Sequence, residues 1–331
     1  MAGVTRELVR ERHPSGEELT IPVAVIEGSQ PGPTLAVTAG MHAGEYVGVH
    51  AAIRLLQTVD PGELRGRLIV VPVTSTRAFM MRSMQLSPVD EKEVHFQVPG
   101  NPGGSYSELL VDRLYRIVRE ADYLIDLHAG EFAQSLTPWV PVPVAANPRL
   151  ARAALRLARC FNVPYLDLRT DAATIPAYAR FLAEAGITNV WTEIGQNGLI
   201  EPGCVELQYE GCRNALCALG MLPGEPSLRV RHRYLGQRHH TVVAERSGLW
   251  FPAVEAGQLV SAGQPLGELR DYFGEVLARY EAPFDGIVLY YWTSTAINVE
   301  RQPHGYNWHA GLVRLAGRPT DEPNVALDGP A

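Results

Sequence analysis

The chain has 331 residues, 46% hydrophobic and 20% charged, with a formal net charge of −7. This composition is that of a folded globular protein, and the acidic balance, with no Lys/Arg block, argues against a nucleic-acid surface. No apolar run approaches the roughly 18 residues of a membrane span, and Met1–Ser15 mixes both charge signs without an apolar core, so neither a membrane anchor nor a signal peptide is expected.

In chain order, Glu18–Glu27 is apolar and β-branched and reads as a first strand, followed by the turn Gln30-Pro31-Gly32-Pro33. Thr34–Ala39 reads as a strand that stops at Gly40, and a helix follows from Tyr46 to Gln57. Arg67–Val73 is a continuous apolar run, the pattern of a strand buried on both faces. Thr74–Gly104 shows no clear period, and so long a connection in a compact domain is usually functional. Ser105–Glu120 is an amphipathic helix with a capping-box pattern, Ser105 and Glu108. Tyr123–Leu127 and Trp139–Ala145 read as strands, Asn147–Phe161 and Ile175–Ala185 as helices. Ile187–Thr192 is a strand that delivers Glu193, and Val205–Leu219 is helical. Strands alternating with helices indicate a mostly parallel or mixed sheet flanked by helices, an α/β fold. After Pro223-Gly224-Glu225-Pro226 the pattern changes to short β runs between glycine turns, the mark of a small all-β barrel or sandwich. The expected division is 1–224 and 225–331.

Three of these strands end in groups that bind metals or move protons: His42 and Glu45 after the second strand, His128 after Tyr123–Leu127, and Glu193. In open α/β sheets ligands bind outside such strand ends. The pair His42/Glu45 is weak by itself, since about one accidental His-x-x-acid match is expected in a chain of this composition; the convergence of three strands carries the weight. Two imidazoles and one carboxylate around a zinc ion leave a fourth position for water, the arrangement of an open catalytic site. Glu193 is the candidate base and Arg82, in the long loop, the candidate for stabilising a tetrahedral oxyanion. The four cysteines, Cys160, Cys204, Cys212 and Cys217, form no C-x-x-C pair and read as reduced, mostly buried thiols of a cytoplasmic chain. His239, His240, His304 and His309 read as surface or packing residues.

On AGMHAGE (Ala39–Glu45), VPV (Val71–Val73), AF-x-x-R (Ala78–Arg82), DLHAG (Asp126–Gly130), TEIGQNG (Thr192–Gly198) and NALCALGML (Asn214–Leu222), the sequence resembles the succinylglutamate desuccinylase/aspartoacylase family, a branch of the zinc carboxypeptidase-like hydrolases. The resemblance covers nearly the whole chain. It implies one zinc per chain on His42, Glu45 and His128, Glu193 as general base, Arg82 at the oxyanion, and hydrolysis of the amide of a small N-acyl amino acid or amine. Asp126, two residues before His128 on the same side of the strand, is a candidate to hold that imidazole. Gly248–Leu289 looks like the biotinyl/lipoyl-type barrel that ends several members; no Lys occurs there, so the barrel reads as a cap rather than a carrier.

One departure is specific. Where relatives carry a carboxylate-gripping Asn-Arg, this chain has His95-Phe96. An apolar ring does not replace a guanidinium fork, so the expectation is weak activity on N-acetyl-aspartate and N-succinyl-glutamate and better activity on an N-acyl compound whose leaving amine is neutral or aromatic near the scissile bond, in a pocket involving His95 and Phe96; a preference for the dicarboxylate would instead point to Arg77, Arg169 or Arg180 as the substitute carboxylate ligand. The alternatives are a zinc carboxypeptidase acting on peptides and a catalytically silent metal- or small-molecule-binding protein. The expected partner is a small N-acyl substrate, with neither nucleic acid nor membrane; a homo-oligomer stays open.

Overall fold

The computed structural model describes residues 2–300, 310–323 and 325; His304 and His309 lie outside them. An N-terminal antiparallel hairpin joins β1 (Gly3–Arg12) to β2 (Glu18–Glu27). β1 has no apolar period because it is an edge strand with its charged side chains in solvent, which is why the sequence pattern missed it. There follow β3 (Gln30–Ala39), α1 (Tyr46–Thr58), β4 (Arg65–Val71), α2 (Thr76–Met81), α3 (Tyr106–Val118), β5 (Tyr123–His128), β6 (Gln134–Leu136) and β7 (Trp139–Val142). Then come α4 (Pro148–Ala158), β8 (Tyr165–Leu168), α5 (Ala177–Glu184), β9 (Thr188–Glu193) and α6 (Pro202–Ala218). Ser105 caps α3 with its reciprocal Glu108 bond in place, as its sequence pattern predicts.

The sheet is buried on both faces by alternation within single strands. Leu35, Val37 and Ala39 of β3 pack with Val49 and Leu55 of α1, Leu155 of α4 and Leu216 of α6. Ala36, between them, joins the opposite cluster with Leu110 and Leu114 of α3 and Leu182 of α5. Strands β4, β3, β5 and β9 are adjacent and parallel, in register such that Ala39 stands beside Leu127, and His128 beside Glu193.

The C-terminal part is all β among the described residues: β10 (Arg233–Val243), β11 (Gly248–Pro252), β12 (Leu259–Val260), β13 (Pro265–Arg270), β14 (Val276–Glu281), β15 (Gly286–Trp292), β16 (Ala296–Ile297) and β17 (Gly311–Thr320). The expected division at 224/225 falls between α6 and β10. The main sheet crosses it, because β10 pairs in parallel with β8 and leads on through β17 to β15. Strand β6 also pairs with β15. These ladders carry side chains of β15 and β17 to the rim where β5 and β9 end. Among the described residues no helix is long and apolar enough to cross a membrane, and Cys160, Cys204, Cys212 and Cys217 are all free thiols.

Candidate active site

Gly40 ends β3 with a φ of 62°, the left-handed region in which glycine carries no steric penalty. The turn it makes places His42 at the sheet rim and Glu45 at the N-cap of α1. The turn is tied down by the loop after β4, whose Thr74 and Ser75 N–H groups donate to the carbonyls of Ala39 and Gly40 at 2.8 and 2.9 Å. His128 is the last residue of β5, and Glu193 the last of β9.

Glu45 stands between the two imidazoles. Nδ1 of His42 lies 2.8 Å from its Oε1, and Nδ1 of His128 lies 2.8 Å from its Oε2. The far nitrogens face other carboxylates: His42 Nε2 is 3.1 Å from Glu93 Oε1, and His128 Nε2 is 3.0 Å from Asp126 Oδ2. Asp126 is itself fixed by the Thr38 hydroxyl, which donates to its Oδ1 at 2.6 Å. With each Nε2–H donating outward, both Nδ1 lone pairs converge on the Glu45 carboxylate. Glu45 Oε2, although 2.8 Å from a ring nitrogen, is buried without a hydrogen-bond partner. Acceptors facing acceptors in a buried space need positive charge between them. The protein alone can supply it only as protons. Burial opposes charge on both histidines, yet Glu45, with Glu93 for His42 and Asp126 for His128, holds them well above the usual imidazole range. Burial likewise opposes charge on Glu45, and the two imidazoles bring it down to about 2. Among the described residues, His42, Glu45 and His128 form one of three groups whose ligand atoms lie close enough to hold an ion. The two nitrogens and two oxygens are the donor set of a zinc ligand shell, so the residues present fit that cation.

The other groups run through His95, whose ring centroid is 4.9 Å from that of His42 and 4.8 Å from that of His128. Its nitrogens lie 4.0 Å from Glu93 and 3.8 Å from Asp126, beyond hydrogen-bond range.

These residues open onto a cavity of 260 Å³. His42, Glu45, His95, His128 and Glu193 line it together with Arg169, Tyr290 and Arg314, and Gln85, Leu136, Trp139 and Trp191 stand among the remaining wall. Burial pushes the Glu193 carboxyl up to about 8. Arg169 is buried, its Nε 2.6 Å from Asp167 Oδ2, and Asp167 Oδ1 is 3.1 Å from His239 Nε2. His239, expected as a surface or packing residue, is therefore part of a buried charged cluster.

The remaining candidates lie elsewhere. Arg82 is exposed at the C-cap of α2 and is not among the residues lining the cavity. Arg77 pairs with Glu17 at 3.1 Å. Phe96 is 48% exposed and also outside the cavity wall. Sequence reasoning passed over Glu93, Trp139, Tyr290 and Arg314. A signal did exist for Arg314, one cation inside the apolar run Leu312–Ala316. Glu131 shows the opposite: it stands three residues after His128 as Glu45 does after His42, yet its carboxylate accepts from the backbone of Gln85 and Phe132, each at 3.3 Å. A Cβ on Gly44 would meet Glu131 Oε2 at 2.6 Å and the Phe132 backbone nitrogen at 3.0 Å, so a larger residue there would have to displace the Glu131 carboxylate.

Residues 31–217 match the model of the succinylglutamate desuccinylase/aspartoacylase catalytic domain. The chain is 28% identical over 274 residues to an N-alpha-acetyl-L-2,4-diaminobutyric acid deacetylase from Halomonas elongata, covering 81% of this chain and 80% of that protein. Among solved structures it is similar to a succinylglutamate desuccinylase/aspartoacylase from Rhodobacter sphaeroides, with a TM-score of 0.81, 25% identity and 97% of each chain covered. The ectoine utilization protein EutE (DoeB) from Ruegeria pomeroyi, in a product-bound structure, superposes with a TM-score of 0.83 at 24% identity, covering 97% of this chain and 96% of that one. At that identity the likeness concerns the fold.

Proposed function

Because this chain belongs to the succinylglutamate desuccinylase/aspartoacylase family, we propose that it is a zinc-dependent amidohydrolase that removes the acyl group from a small N-acyl amino acid. Amide hydrolysis is the activity of its Halomonas elongata relative, a deacetylase. The observation that carries the zinc reading is the convergence of two imidazole Nδ1 atoms on the two oxygens of one buried carboxylate, Glu45.

In this reading His42, Glu45 and His128 hold one zinc ion. When bound, the ion supplies the Lewis acidity that lowers the pKa of a water to about 7. Asp126 and Glu93 each take one Nε2–H and so keep the ligand imidazoles in the tautomer that offers Nδ1. Glu193 takes the proton of the attacking water as its oxygen adds to the acyl carbon, and returns it to the leaving nitrogen as the C–N bond breaks. Burial raises that carboxyl to about 8 in the metal-free protein, so the ionised form that can accept the proton is the one populated above that value. The oxyanion role of Arg82 rests on the resemblance alone.

The expectation of weak activity on carboxylate-bearing substrates depended on Phe96 lying in the pocket. With Phe96 half exposed and outside the wall, the group that meets the substrate's carboxylate is Arg169, one of the three substitutes named from sequence, and it is joined by Arg314. The described residues beyond 224 then act as a cap that closes the cavity with Leu289, Tyr290 and Arg314. The 260 Å³ cavity suits a small acylated amino acid.

The test is a panel run on zinc-loaded protein with product mass detection: N-acetyl-aspartate, N-succinyl-glutamate, N-acetyl-2,4-diaminobutyrate, and N-acetyl amines that lack a carboxylate. The reading expects turnover confined to substrates with a free carboxylate. No turnover of any of them, together with no stoichiometric zinc, would favour a silent binding protein.

A further inference from the structure

Trp139 carries a donor that the fold does not use. The residue is 3% exposed, and its indole Nε1–H is buried without an acceptor. A buried N–H left unpaired destabilises the folded state, so such groups are rare and call for a reason. Trp250 carries a second unpaired indole N–H, but it sits in the closed core of the C-terminal β unit. Trp139 lines the cavity.

Its neighbours define which part of a ligand it meets. In the sheet Trp139 is the cross-strand partner of Glu193. Its ring stacks on Tyr290, with centroids 6.5 Å apart and planes 15° from parallel. Tyr290 is in turn the cross-strand partner of Arg314. Base, indole, phenol and guanidinium therefore follow one another along one wall. An indole nitrogen can only donate, and Arg314, beyond Tyr290 on the same cavity wall, selects negative charge.

From this arrangement we infer that Trp139 is a specificity-determining residue, its Nε1–H donating to the substrate carboxylate beside Arg314. The inference rests on the N-acyl amino acid reading for the identity of that carboxylate. It explains why a donor is kept at a position where packing needs only a large flat ring. The N–H is unsatisfied in the free protein and satisfied when the anion arrives.

Trp139→Phe is the test, since it keeps an aromatic ring and deletes the N–H. Succinate and its neutral counterpart succinamide are titrated into zinc-loaded wild-type and W139F protein by calorimetry, and both proteins are melted without ligand. The inference expects W139F to bind succinate at least about tenfold more weakly, the scale of one hydrogen bond to a charged group. Succinamide affinity is expected to hold, and the ligand-free melting temperature to stay level or rise. Equal succinate affinity in the two proteins overturns the inference, as does a loss of melting temperature with binding unchanged, which is the signature of a packing role. The titration does not depend on turnover. A chain that hydrolyses no N-acyl amino acid but shows the succinate difference refutes the amidohydrolase reading and leaves the donor role of Trp139 standing.

Discussion

His42 and Glu93, separated by 51 residues of chain, meet at 3.1 Å between Nε2 and Oε1. The same relationship joins His128 to Asp126 at 3.0 Å. Both imidazoles that face Glu45 are thus held from behind by a carboxylate, one supplied by the same strand and one by the long loop. The loop is itself anchored: Leu86 bridges to Glu93, and the Glu93 side chain caps the turn of Val94–Phe96 through the His95 N–H at 3.0 Å.

The first prediction follows from that pair. Partners behind metal-ligating histidines are worth about 10- to 100-fold in metal affinity. Glu93→Gln and Asp126→Asn should each weaken zinc binding by that order in a chelator competition assay. Unchanged affinity in Glu93→Gln would mean that the loop carboxylate plays no part in holding His42.

Glu193→Gln should fold, keep zinc and lose at least about 100-fold in kcat, since the amide cannot accept the water proton. A loss below tenfold would assign the base elsewhere. The raised carboxyl also has a consequence for stability. Between the unfolded value of about 4.3 and the folded value of about 8, the folded state binds more protons than the unfolded one. Stability from this group is full below the lower value and is lost as pH rises through the upper one. The metal-free Glu193→Gln protein should therefore gain melting temperature over metal-free wild type, by an increment that grows from pH 5 to about pH 8. An increment flat with pH would contradict the assignment.

Asp90 fastens the long loop to α3, accepting from the Ser107 backbone N–H at 2.8 Å and the Ser107 hydroxyl at 2.7 Å. Burial works against its charge, and these bonds prevail, holding the carboxyl below its ordinary value. The stabilisation is therefore present above the unfolded value of about 3.9 and drains away as pH falls through the folded one. Asp90→Ala should cost about 1–3 kcal/mol at neutral pH and progressively less in acid. Chemical denaturation at several pH values measures it; a cost independent of pH would exclude the carboxylate as its source.

Arg314 donates to the Thr241 hydroxyl at 2.7 Å while lining the cavity. Arg314→Gln should raise KM for a carboxylate-bearing substrate by at least about tenfold and leave kcat within about threefold, the pattern of an interaction present equally in ground and transition states. A matched fall in kcat with constant KM would instead place Arg314 at the reacting centre.

Sequence alone reached the groups whose position is set by local chain geometry. Each of His42, Glu45, His128 and Glu193 sits at or just beyond a strand end, and an apolar run followed by a turn marks such ends in any order of assembly. The capping box of α3 is legible for the same reason. Trp139, Tyr290 and Arg314 are different. They share one wall because β15 pairs with β17, β17 with β10, and β10 with β8, and no stretch of sequence records those pairings. The irregular loop hid both α2 and Glu93, since neither a six-residue helix nor a carboxylate in a polar segment shows a period. Phe96 is a related case: matching a position to a relative's arginine locates the backbone, and this side chain is half exposed and outside the cavity wall.

The central claim is that His42, Glu45 and His128 hold one zinc ion that serves amide hydrolysis. Its most direct test is elemental analysis of purified, chelator-treated and zinc-reconstituted wild type beside His42→Ala, with circular dichroism to show that both are folded. The account predicts one zinc per wild-type chain and less than about a tenth of that in the variant, the scale on which loss of a first ligand exceeds loss of an outer partner. A folded His42→Ala protein that still carries one zinc per chain would contradict it.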